Sequence, residues 1–300
     1  MVASIKEIKW AITGSGGQLA RSLTELLERQ GSIYRSWGKD ELDISAPEGS
    51  HPIVEFGPTV LVNCAAWTNV DGAETQFEQA LLANRDGARN MALTARKLNI
   101  PLIHISTDYV FSGISQTPWH IDEATHPTSK YGESKLLGEI AIKETWPDKS
   151  LIFRTAWLYG RYGRNFAKTM IRKAISSRED VNVVIDQKGQ PTTTQDLALK
   201  IIESVSKEVE AGMYHATNSG ETTWWEFAQE LFSLSGESIE RVKPVTSDKF
   251  PSVVKRPAYS VLDHSQWDKV RVAPMRNWRD ALHDIYPAIR RELDRELRNE

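Results

Sequence analysis

The sequence predicts an α/β protein, in which a Rossmann-type, doubly wound parallel sheet is followed by a smaller C-terminal α/β substrate domain. Apolar runs typical of strands alternate with stretches whose apolar residues recur at helical spacing. Several of the strands are apolar on both faces, as expected for a parallel sheet covered by helices on both sides. A glycine-rich turn, "TGSGGQLA", separates the first strand from the first helix.

The elements of the first half follow in that alternating order. "KEIKWAIT" is a strand, and "LARSLTELLERQG" is a helix that Gly31 ends as a C-terminal cap. "SIYRSW" and "TVLVNCAA" are strands, a long helical stretch runs from about Phe77 to Leu98, and "PLIHIS" is a buried strand. A helix from about Tyr131 to Thr145 and the strand "SLIFRTAW" complete the series.

The pattern changes after Trp157, where "LYGRYGRNF" is rich in glycine and arginine and the later elements are shorter. We therefore predict a dinucleotide-binding domain over residues 1–155 and a mainly substrate-binding domain over 156–300. We expect the chain to return to the first domain around 194–217. The final segment, "MRNWRDALHDIYPAIRRELDRELRNE", is interpreted as a solvated surface helix because it combines helical apolar spacing with dense charge.

Composition excludes several classes of protein. The 300 residues carry a net charge of −3 without a basic stripe, so we expect no nucleic-acid partner. No apolar run approaches the roughly 18 residues of a membrane span. The single cysteine, Cys64, is expected to be a small buried hydrophobe, and its being alone fits a reducing, cytoplasmic compartment. No ligand spacing suits zinc, so we predict no metal, and His104 is interpreted as a core histidine.

The glycine-rich turn has the context of a dinucleotide-binding loop. Gly14 would allow the tight turn, Gly17 would let main-chain N–H groups approach a diphosphate, and Ala20 would permit close packing of helix on strand. The alternative is a glycine-rich turn that binds no ligand. The residues after the second strand, Arg35 and Lys39 among them, are basic, which favours a 2′-phosphate and hence NADPH, with NADH left open.

A second motif indicates proton transfer. "KYGESK" places Tyr131 and Lys135 four residues apart, hence on one face of a helix. A phenol is protonated at neutral pH and can donate its proton, and a nearby ammonium stabilises the tyrosinate that forms. Thr107 ends the apolar strand "PLIHIST", where its hydroxyl could hydrogen-bond a substrate carbonyl oxygen. We therefore predict Thr107, Tyr131 and Lys135 as the catalytic residues.

These motifs together resemble the extended short-chain dehydrogenase/reductases. More narrowly, the chain resembles the dTDP-4-dehydrorhamnose reductases, which make the final reduction to dTDP-L-rhamnose. The resemblance covers most of the chain, and "FRTAWLYG…NFAKTM" and "DQKGQPT" are its most specific segments. It also includes "VNCAAWTNVDGAE", "ANRDGARNMA", "STDYVFSG", "DEATHPTSKYGESKLLGE", "GMYHATNSGETTWWEFA" and "KRPAYSVLD".

The resemblance implies a role for each matching residue. For the cofactor it implies Gly14, Gly17, Gln18 and Leu19 at the diphosphate, Asp43 and Ile44 near the adenine end with Lys39, Ala65, Ala66 and Thr68 along the nicotinamide half, and Tyr131 and Lys135 at the nicotinamide ribose. For the nucleotide-sugar substrate it implies Val70, Thr107, Asp108, Tyr109, Tyr131 and Trp157 around the deoxysugar, with Asn165 and Arg256 at the diphosphate.

Some members of this family form a metal-bridged dimer through acidic residues. At the matching places this chain offers Ser22, Gln195 and Asp196, which argues against a bridging metal and leaves a homodimer open.

Two other functions remain to be weighed against a reductase. A nucleotide-sugar dehydratase or epimerase on this fold is one, but related dehydratases carry an Asp-Glu pair where Asp108 is here followed by Tyr109. A dinucleotide-binding regulatory subunit, similar to the regulatory partner of some methionine adenosyltransferases, is the other. The presence of Thr107, Tyr131 and Lys135 together argues against it, since a binding module needs no proton donor. Reduction of another nucleotide 4-keto-6-deoxysugar also stays open.

Overall fold

The computed structural model describes residues 8–46, 50–250 and 252–299. Residues 6 and 7 of the predicted first strand, and residues 1–7 of the predicted first domain, lie outside this range. A six-stranded parallel sheet forms the centre of the fold, and its strands lie in the order Ile33–Trp37, Lys9–Thr13, Val60–Asn63, Leu102–Thr107, Ser150–Thr155 and Gly212–His215. The predicted α/β fold with a central parallel sheet is therefore confirmed.

The strands have the following bounds: β1 Lys9–Thr13, β2 Ile33–Trp37, β3 Val60–Asn63, β4 Leu102–Thr107, β5 Ser150–Thr155, β6 Leu158–Tyr159, β7 Val181–Val184, β8 Lys188–Gly189, β9 Thr192–Thr193, β10 Gly212–His215, β11 Asn218–Ser219, β12 Thr222–Thr223, β13 Val242–Val245 and β14 Met275–Asn277. The helices are α1 Gln18–Arg29, α2 His51–Phe56, α3 Val70–Thr75, α4 Phe77–Leu81, α5 Gly87–Leu98, α6 Lys130–Thr145, α7 Phe166–Ser176, α8 Thr194–Ser206, α9 Trp224–Leu234, α10 Gln266–Lys269 and α11 Trp278–Asn299.

Each face of the sheet is covered by helices because its strands are apolar on both sides. On β1, Trp10 and Ile12 point into a cluster shared with α1 and α8, whereas Ala11 points into a cluster shared with α2, α5 and α6. Of the leucines that predicted α1, Leu23 and Leu27 are fully buried in the first cluster, and Leu26 packs against it while partly buried. A doubly wound sheet places the carboxyl ends of its strands along one edge, where α/β proteins bind ligands.

Part of the second half of the chain packs against this sheet. Helix α8 lies against α1, and β10 pairs with β5 to form one edge of the sheet. The predicted return of the chain over 194–217, and the boundary near residue 155, stay predictions that these contacts favour.

A separate apolar cluster joins α7, α9 and α11. The final segment is helical as predicted, but the interpretation as a solvated helix was wrong for one face. Trp278, Leu282, Ile285 and Ile289 of that face are buried in the cluster. Dense charge on the opposite face concealed how wide the apolar stripe is. Among the described residues, no helix is long and apolar enough to cross a membrane.

Candidate active site

The loop between β1 and α1 forms a cradle of main-chain groups. Gly14 has φ +76°, and a Cβ on it would lie 2.8 Å from the backbone nitrogen of Ala65. Gly17 is the N-cap of α1 and provides no side-chain cap, which leaves N–H groups at the helix N-terminus available to an anion. Gln18 and Leu19 begin the helix, and Leu19 is buried, so that its main chain alone faces the cradle. This loop fits the diphosphate of a dinucleotide.

The residues predicted for the adenine end lie beyond β2. Asp43 accepts hydrogen bonds from the Ser45 hydroxyl and backbone nitrogen, which lower the pKa of its carboxyl. Ile44 is buried against Gly87, and the Asn90 amide donates to the Ile44 carbonyl oxygen at 2.9 Å. Lys39 is exposed in the same turn.

Arg35 is also exposed, and its guanidinium lies 5.2 Å from the centre of the Trp37 ring. Basic side chains thus stand at the end of β2, where a 2′-phosphate is read in this fold.

The loop after β3 carries Ala65, Ala66 and Thr68. Its position is fixed from two sides. The Ala65 N–H donates to the Thr13 hydroxyl at 3.3 Å. The Asn84 side chain accepts from the Trp67 N–H at 2.9 Å and donates to the Trp67 carbonyl oxygen at 3.1 Å.

Asn84 belongs to a π-helical turn, Leu82–Asp86, that interrupts the long helix between α4 and α5. The predicted helical stretch is therefore present, but with one wider turn. Helix α6 passes so close to it that a Cβ on Gly138 would lie 2.1 Å from the Asn84 carbonyl oxygen. Such π turns occur often at functional sites.

The predicted proton donor lies at the end of β4. Thr107 is the last residue of that strand, and Tyr131 lies in the first turn of α6, whose N-cap is Ser129. Burial raises the pKa of the Tyr131 phenol well above its usual range, and the charge of Asp108 adds to the increase. A hydrogen bond with the Thr107 hydroxyl acts in the opposite direction. The structure therefore brings the two predicted groups together, with the phenol protonated.

Lys135 points to the strand side of this pair. Its Nζ donates to the Ile105 carbonyl oxygen at 2.6 Å and lies 3.4 Å from Nε2 of His104. Burial lowers the pKa of Lys135 to about 8, although the nearby Glu139 raises it. Glu139 is itself buried and forms two hydrogen bonds with Arg154, at 2.9 and 2.7 Å.

Asp108 lies directly behind Thr107. The Thr107 hydroxyl donates to Asp108 Oδ1 at 2.9 Å. Burial raises the pKa of Asp108 to about 6, while hydrogen bonds with the Thr107 and Ser260 hydroxyls act in the opposite direction. Asp108 is only 3% exposed, which places it behind Thr107 and not on the surface of the cleft.

Aromatic side chains line the part of the site predicted for the sugar. The Tyr109 and Tyr131 rings meet edge to face with centroids 5.6 Å apart. Trp157 has φ +47°, a strained conformation for a bulky residue. Its indole stacks on Trp224, with ring centres 3.6 Å apart and planes 8° from parallel.

A Cβ on Gly189 would lie 2.5 Å from the Trp157 ring and 2.8 Å from the Ser260 hydroxyl. Because the Ser260 hydroxyl also lowers the pKa of Asp108, this contact connects the indole with the carboxyl end of β4.

The other residues predicted to bind the substrate are Val70, Arg256 and Asn165. Val70 begins α3. Arg256 is exposed, pairs with Asp71 at 3.5 Å and hydrogen-bonds Tyr109, near the cleft. Asn165 caps α7 through the Lys168 N–H and donates to Gln18 Oε1 at 3.0 Å. Its side chain therefore braces the predicted cofactor loop through Gln18, and its role at the substrate diphosphate stays a prediction.

Sequence reasoning assigned no role to Asn84, Asn90, Trp224 and Ser260, although each stands in a segment that carries the family resemblance. The sequence shows only that each is a polar or aromatic residue inside a segment that matches the family. It does not show which residue each of them contacts.

At the positions that argued against a bridging metal, the Ser22 hydroxyl lies 2.8 Å from that of Thr194. Asp196 is buried and accepts two hydrogen bonds from Arg276, each 2.9 Å long. The described residues contain no group of three or more histidine, cysteine and acidic side chains that could hold a metal ion.

Residues 8–291 match the family model described as the RmlD substrate binding domain. The chain is 44% identical over 287 residues to a dTDP-4-dehydrorhamnose reductase of Streptomyces griseus, covering 94% of each chain. It is 41% identical to a dTDP-4-keto-6-deoxy-D-glucose reductase of Streptomyces niveus, covering 94% of this chain and 97% of the relative. A crystal structure of dTDP-4-dehydrorhamnose reductase from Bacillus anthracis in complex with NADP matches with a TM-score of 0.89 and 36% identity, covering 93% and 98% of the two chains.

Proposed function

Since the chain belongs to the RmlD substrate binding domain family, the family of the dTDP-4-dehydrorhamnose reductases, we propose that it reduces dTDP-4-dehydrorhamnose to dTDP-L-rhamnose with NADPH. The substrate is the 4-ketone of a dTDP-linked 6-deoxy-L-mannose. The reaction consumes the ketone, one NADPH and one proton, and it yields the alcohol and NADP⁺. NADPH, when bound, supplies the hydride for C4.

The protein's own contribution is orientation and proton transfer. The cradle at Gly14 and Gly17 would hold the cofactor diphosphate at the N-terminus of α1. The Tyr131 phenol donates its proton to the ketone oxygen as negative charge develops there, and the Thr107 hydroxyl orients the phenol. Lys135 carries positive charge next to the forming tyrosinate and, with Tyr131, would hold the nicotinamide ribose. The Trp157 indole offers a flat apolar face to the sugar.

One observation carries this proposal most directly. A protonated, desolvated phenol meets the Thr107 hydroxyl at the carboxyl edge of β4, on the same edge of the sheet as the glycine cradle. A regulatory subunit that only binds a dinucleotide has no use for this pair. A dehydratase needs a carboxylate at the position that Tyr109 occupies.

Replacement of Tyr131 by phenylalanine tests the assignment. The variant keeps the ring and its packing but loses the proton donor, so we expect kcat to fall by a factor of about 10² or more. NADPH affinity, measured by fluorescence titration, should stay close to that of the wild type. The assay follows NADPH absorbance with dTDP-4-dehydrorhamnose. A Tyr131→Phe variant that reduces the ketosugar at the wild-type rate would show that another group protonates the oxygen.

A second candidate substrate has support from one relative. The Streptomyces niveus protein is named for reduction of a 4-keto-6-deoxy-D-glucose, which differs from the rhamnose precursor in ring configuration. The same catalytic residues serve both reactions, since the ketone is at C4 in each. The two are separated by presenting both ketosugars and determining the configuration of each product by NMR.

We also propose that the enzyme acts in the cytoplasm, where NADPH is available, and that a homodimer is its assembly. Cell fractionation and light scattering of the purified chain test these two points.

A further inference from the structure

A row of buried polar side chains crosses the sheet beneath the site. Thr13, Asn63 and His104 are register partners on the adjacent strands β1, β3 and β4. All three are at most 1% exposed. The Thr13 hydroxyl donates to Asn63 Oδ1 at 2.6 Å, and Asn63 Nδ2 lies 3.0 Å from His104 Nδ1. His104 Nε2 in turn lies 3.4 Å from Lys135 Nζ.

The direction of each hydrogen bond follows from the first. The Thr13 hydroxyl oxygen accepts from the Ala65 N–H, and its own proton goes to Asn63 Oδ1. The amide oxygen of Asn63 is thereby used, so its NH₂ group faces His104. His104 Nδ1 must then accept, which places the proton of the neutral ring on Nε2. Burial and the Lys135 charge hold the pKa of His104 well below its usual value, so the ring stays neutral.

We propose that Asn63, through the ring tautomer of His104, positions and tunes the ammonium group of Lys135. Because Nε2 carries the ring proton, it offers Lys135 no acceptor. The ammonium hydrogens are therefore left to the Ile105 carbonyl oxygen and to the cleft on the side of Tyr131. A donor facing the ammonium also disfavours its charged form. His104, buried in the core as the sequence predicted, is thus also a positioning residue.

The other groups that face Lys135 do not have the effect on its ammonium group that we propose for His104. Glu139, one turn further along α6, raises the lysine pKa, but both of its oxygens are bonded to Arg154 of β5. Ser106 of β4 donates to the same carboxylate. Tyr131 is on the cleft side, and the charge of Asp108 acts on the Tyr131 phenol.

The row also ties the lysine to the cofactor loop. Thr13 directly precedes Gly14, and its hydroxyl holds the Ala65 N–H of the loop predicted to line the nicotinamide half. A shift of the glycine cradle would therefore reach Lys135 through three hydrogen-bonded side chains.

The inference rests on the proposed function, but its test needs neither substrate nor turnover. In Asn63→Leu, a substitution of similar volume, His104 Nδ1 loses its donor. The favoured tautomer of the His104 ring then carries its proton on Nδ1, and Nε2 accepts a hydrogen bond from the lysine ammonium. We expect ¹⁵N spectra to show Nε2–H for His104 in the wild type and Nδ1–H in the variant. The ¹³Cε signal of Lys135, identified by its absence in Lys135→Met, should titrate about one pH unit higher.

Asn218→Leu is the matched control, because Asn218 is an equally buried asparagine whose amide bonds Asp196, away from this row. It should lower stability but leave the Lys135 midpoint unchanged. Thr13→Val removes the hydrogen bond to Asn63 Oδ1 but keeps the Asn63 side chain. If Asn63→Leu fails to fold, Thr13→Val should change the His104 tautomer and the Lys135 midpoint in the same direction. A wild-type His104 with Nδ1–H, or an unchanged Lys135 midpoint in both row variants, would overturn the inference.

Activity separates this result from the proposed function. If the wild type reduces the ketosugar, the alkaline limb of its pH profile should move upward in Asn63→Leu together with the lysine midpoint. If the wild type reduces no ketosugar, the proposed function fails, while the NMR measurements still decide the role of Asn63 and His104.

Discussion

Gly14 is the residue at which one added methyl group has the most direct effect on the cofactor cradle. Its φ of +76° and the 2.8 Å approach to the Ala65 nitrogen both exclude a Cβ. We expect Gly14→Ala to lower the free energy of unfolding by about 1–2 kcal/mol and to weaken NADPH binding about tenfold or more. Urea denaturation and fluorescence titration measure the two effects.

Gly16→Ala is the control for stability, since a Cβ there has nothing within 4 Å. Its unfolding midpoint should equal that of the wild type. An equal loss of stability in both variants would mean that the loop, and not the contact with Ala65, is responsible.

Asp108 makes stability depend on pH in a direction opposite to that of most carboxylates. Its pKa in the folded protein is about 6, above the ordinary value of 3.8, so the folded state holds a proton that the unfolded state has released. The contribution of Asp108 to stability is fully present below pH 3.8 and is lost as the pH rises through 6. Between pH 5 and pH 7, the wild type should lose about 1 kcal/mol relative to Asp108→Asn. Urea denaturation at the two pH values measures this difference.

A gap between wild type and Asp108→Asn that does not change with pH would show that Asp108 stays ionised in the folded state.

At this scale the sequence predicts the residues that act alone and misses those that act through a neighbour. Tyr131 and Lys135 are recognisable because their spacing along one helix is itself the signal. Asn84 acts on Trp67, 17 positions away, and Asn63 acts on His104, 41 positions away. Such pairs depend on strand register and helix packing, which periodicity does not determine.

The contact between α6 and the π turn is the element on which the geometry of the site depends most. Gly138 lets the Asn84 carbonyl oxygen approach to a distance that no side chain permits. We expect Gly138→Ala to cost about 1–3 kcal/mol of stability, because the helix backbone must shift. It should also weaken NADPH binding, since Asn84 holds the Trp67 loop. Denaturation and cofactor titration measure both.

Glu144→Ala, on an exposed position of the same helix, is the comparison and should change stability by less than about 0.5 kcal/mol. If Gly138→Ala were as mild as Glu144→Ala, the close approach of the two helices would not be required.

The elements themselves are largely predictable, and the exceptions have physical causes. The strands β1 to β5 and the helix α1 follow from apolar periodicity, and Gly31, with φ +68°, follows α1 as its predicted cap. The π turn was not predicted, because apolar spacing along a helical stretch does not specify which hydrogen bonds its backbone makes. The buried face of α11 was missed because its partners, α7 and α9, lie far from it in the sequence, and apolar spacing does not show which helices pack together.

The molecule as a whole should unfold in one step, because its two principal cores share chain segments and ion pairs. Leu197 and Tyr214, late in the sequence, complete the cluster around α1. Arg161 pairs with Glu25 of α1 at 3.0 Å and with Glu292 of α11 at 3.2 Å. We expect Leu23→Ala and Leu282→Ala each to lower the midpoint of a single transition, at a cost of about 2–5 kcal/mol. Circular dichroism and tryptophan fluorescence should give coincident curves.

Two transitions, each displaced by only one of these substitutions, would show instead that the cores unfold independently.

The position of β10 at the edge of the sheet also bears on how the protein is made. Strand β5 ends at Thr155, yet the strand that covers its free edge begins only at Gly212. At ribosomal rates of roughly 5–20 residues per second, the nascent chain carries that uncovered edge for about 3–12 s. During this interval exposed backbone groups invite pairing with other nascent chains. Chaperone demand during translation should therefore be greatest while this segment emerges.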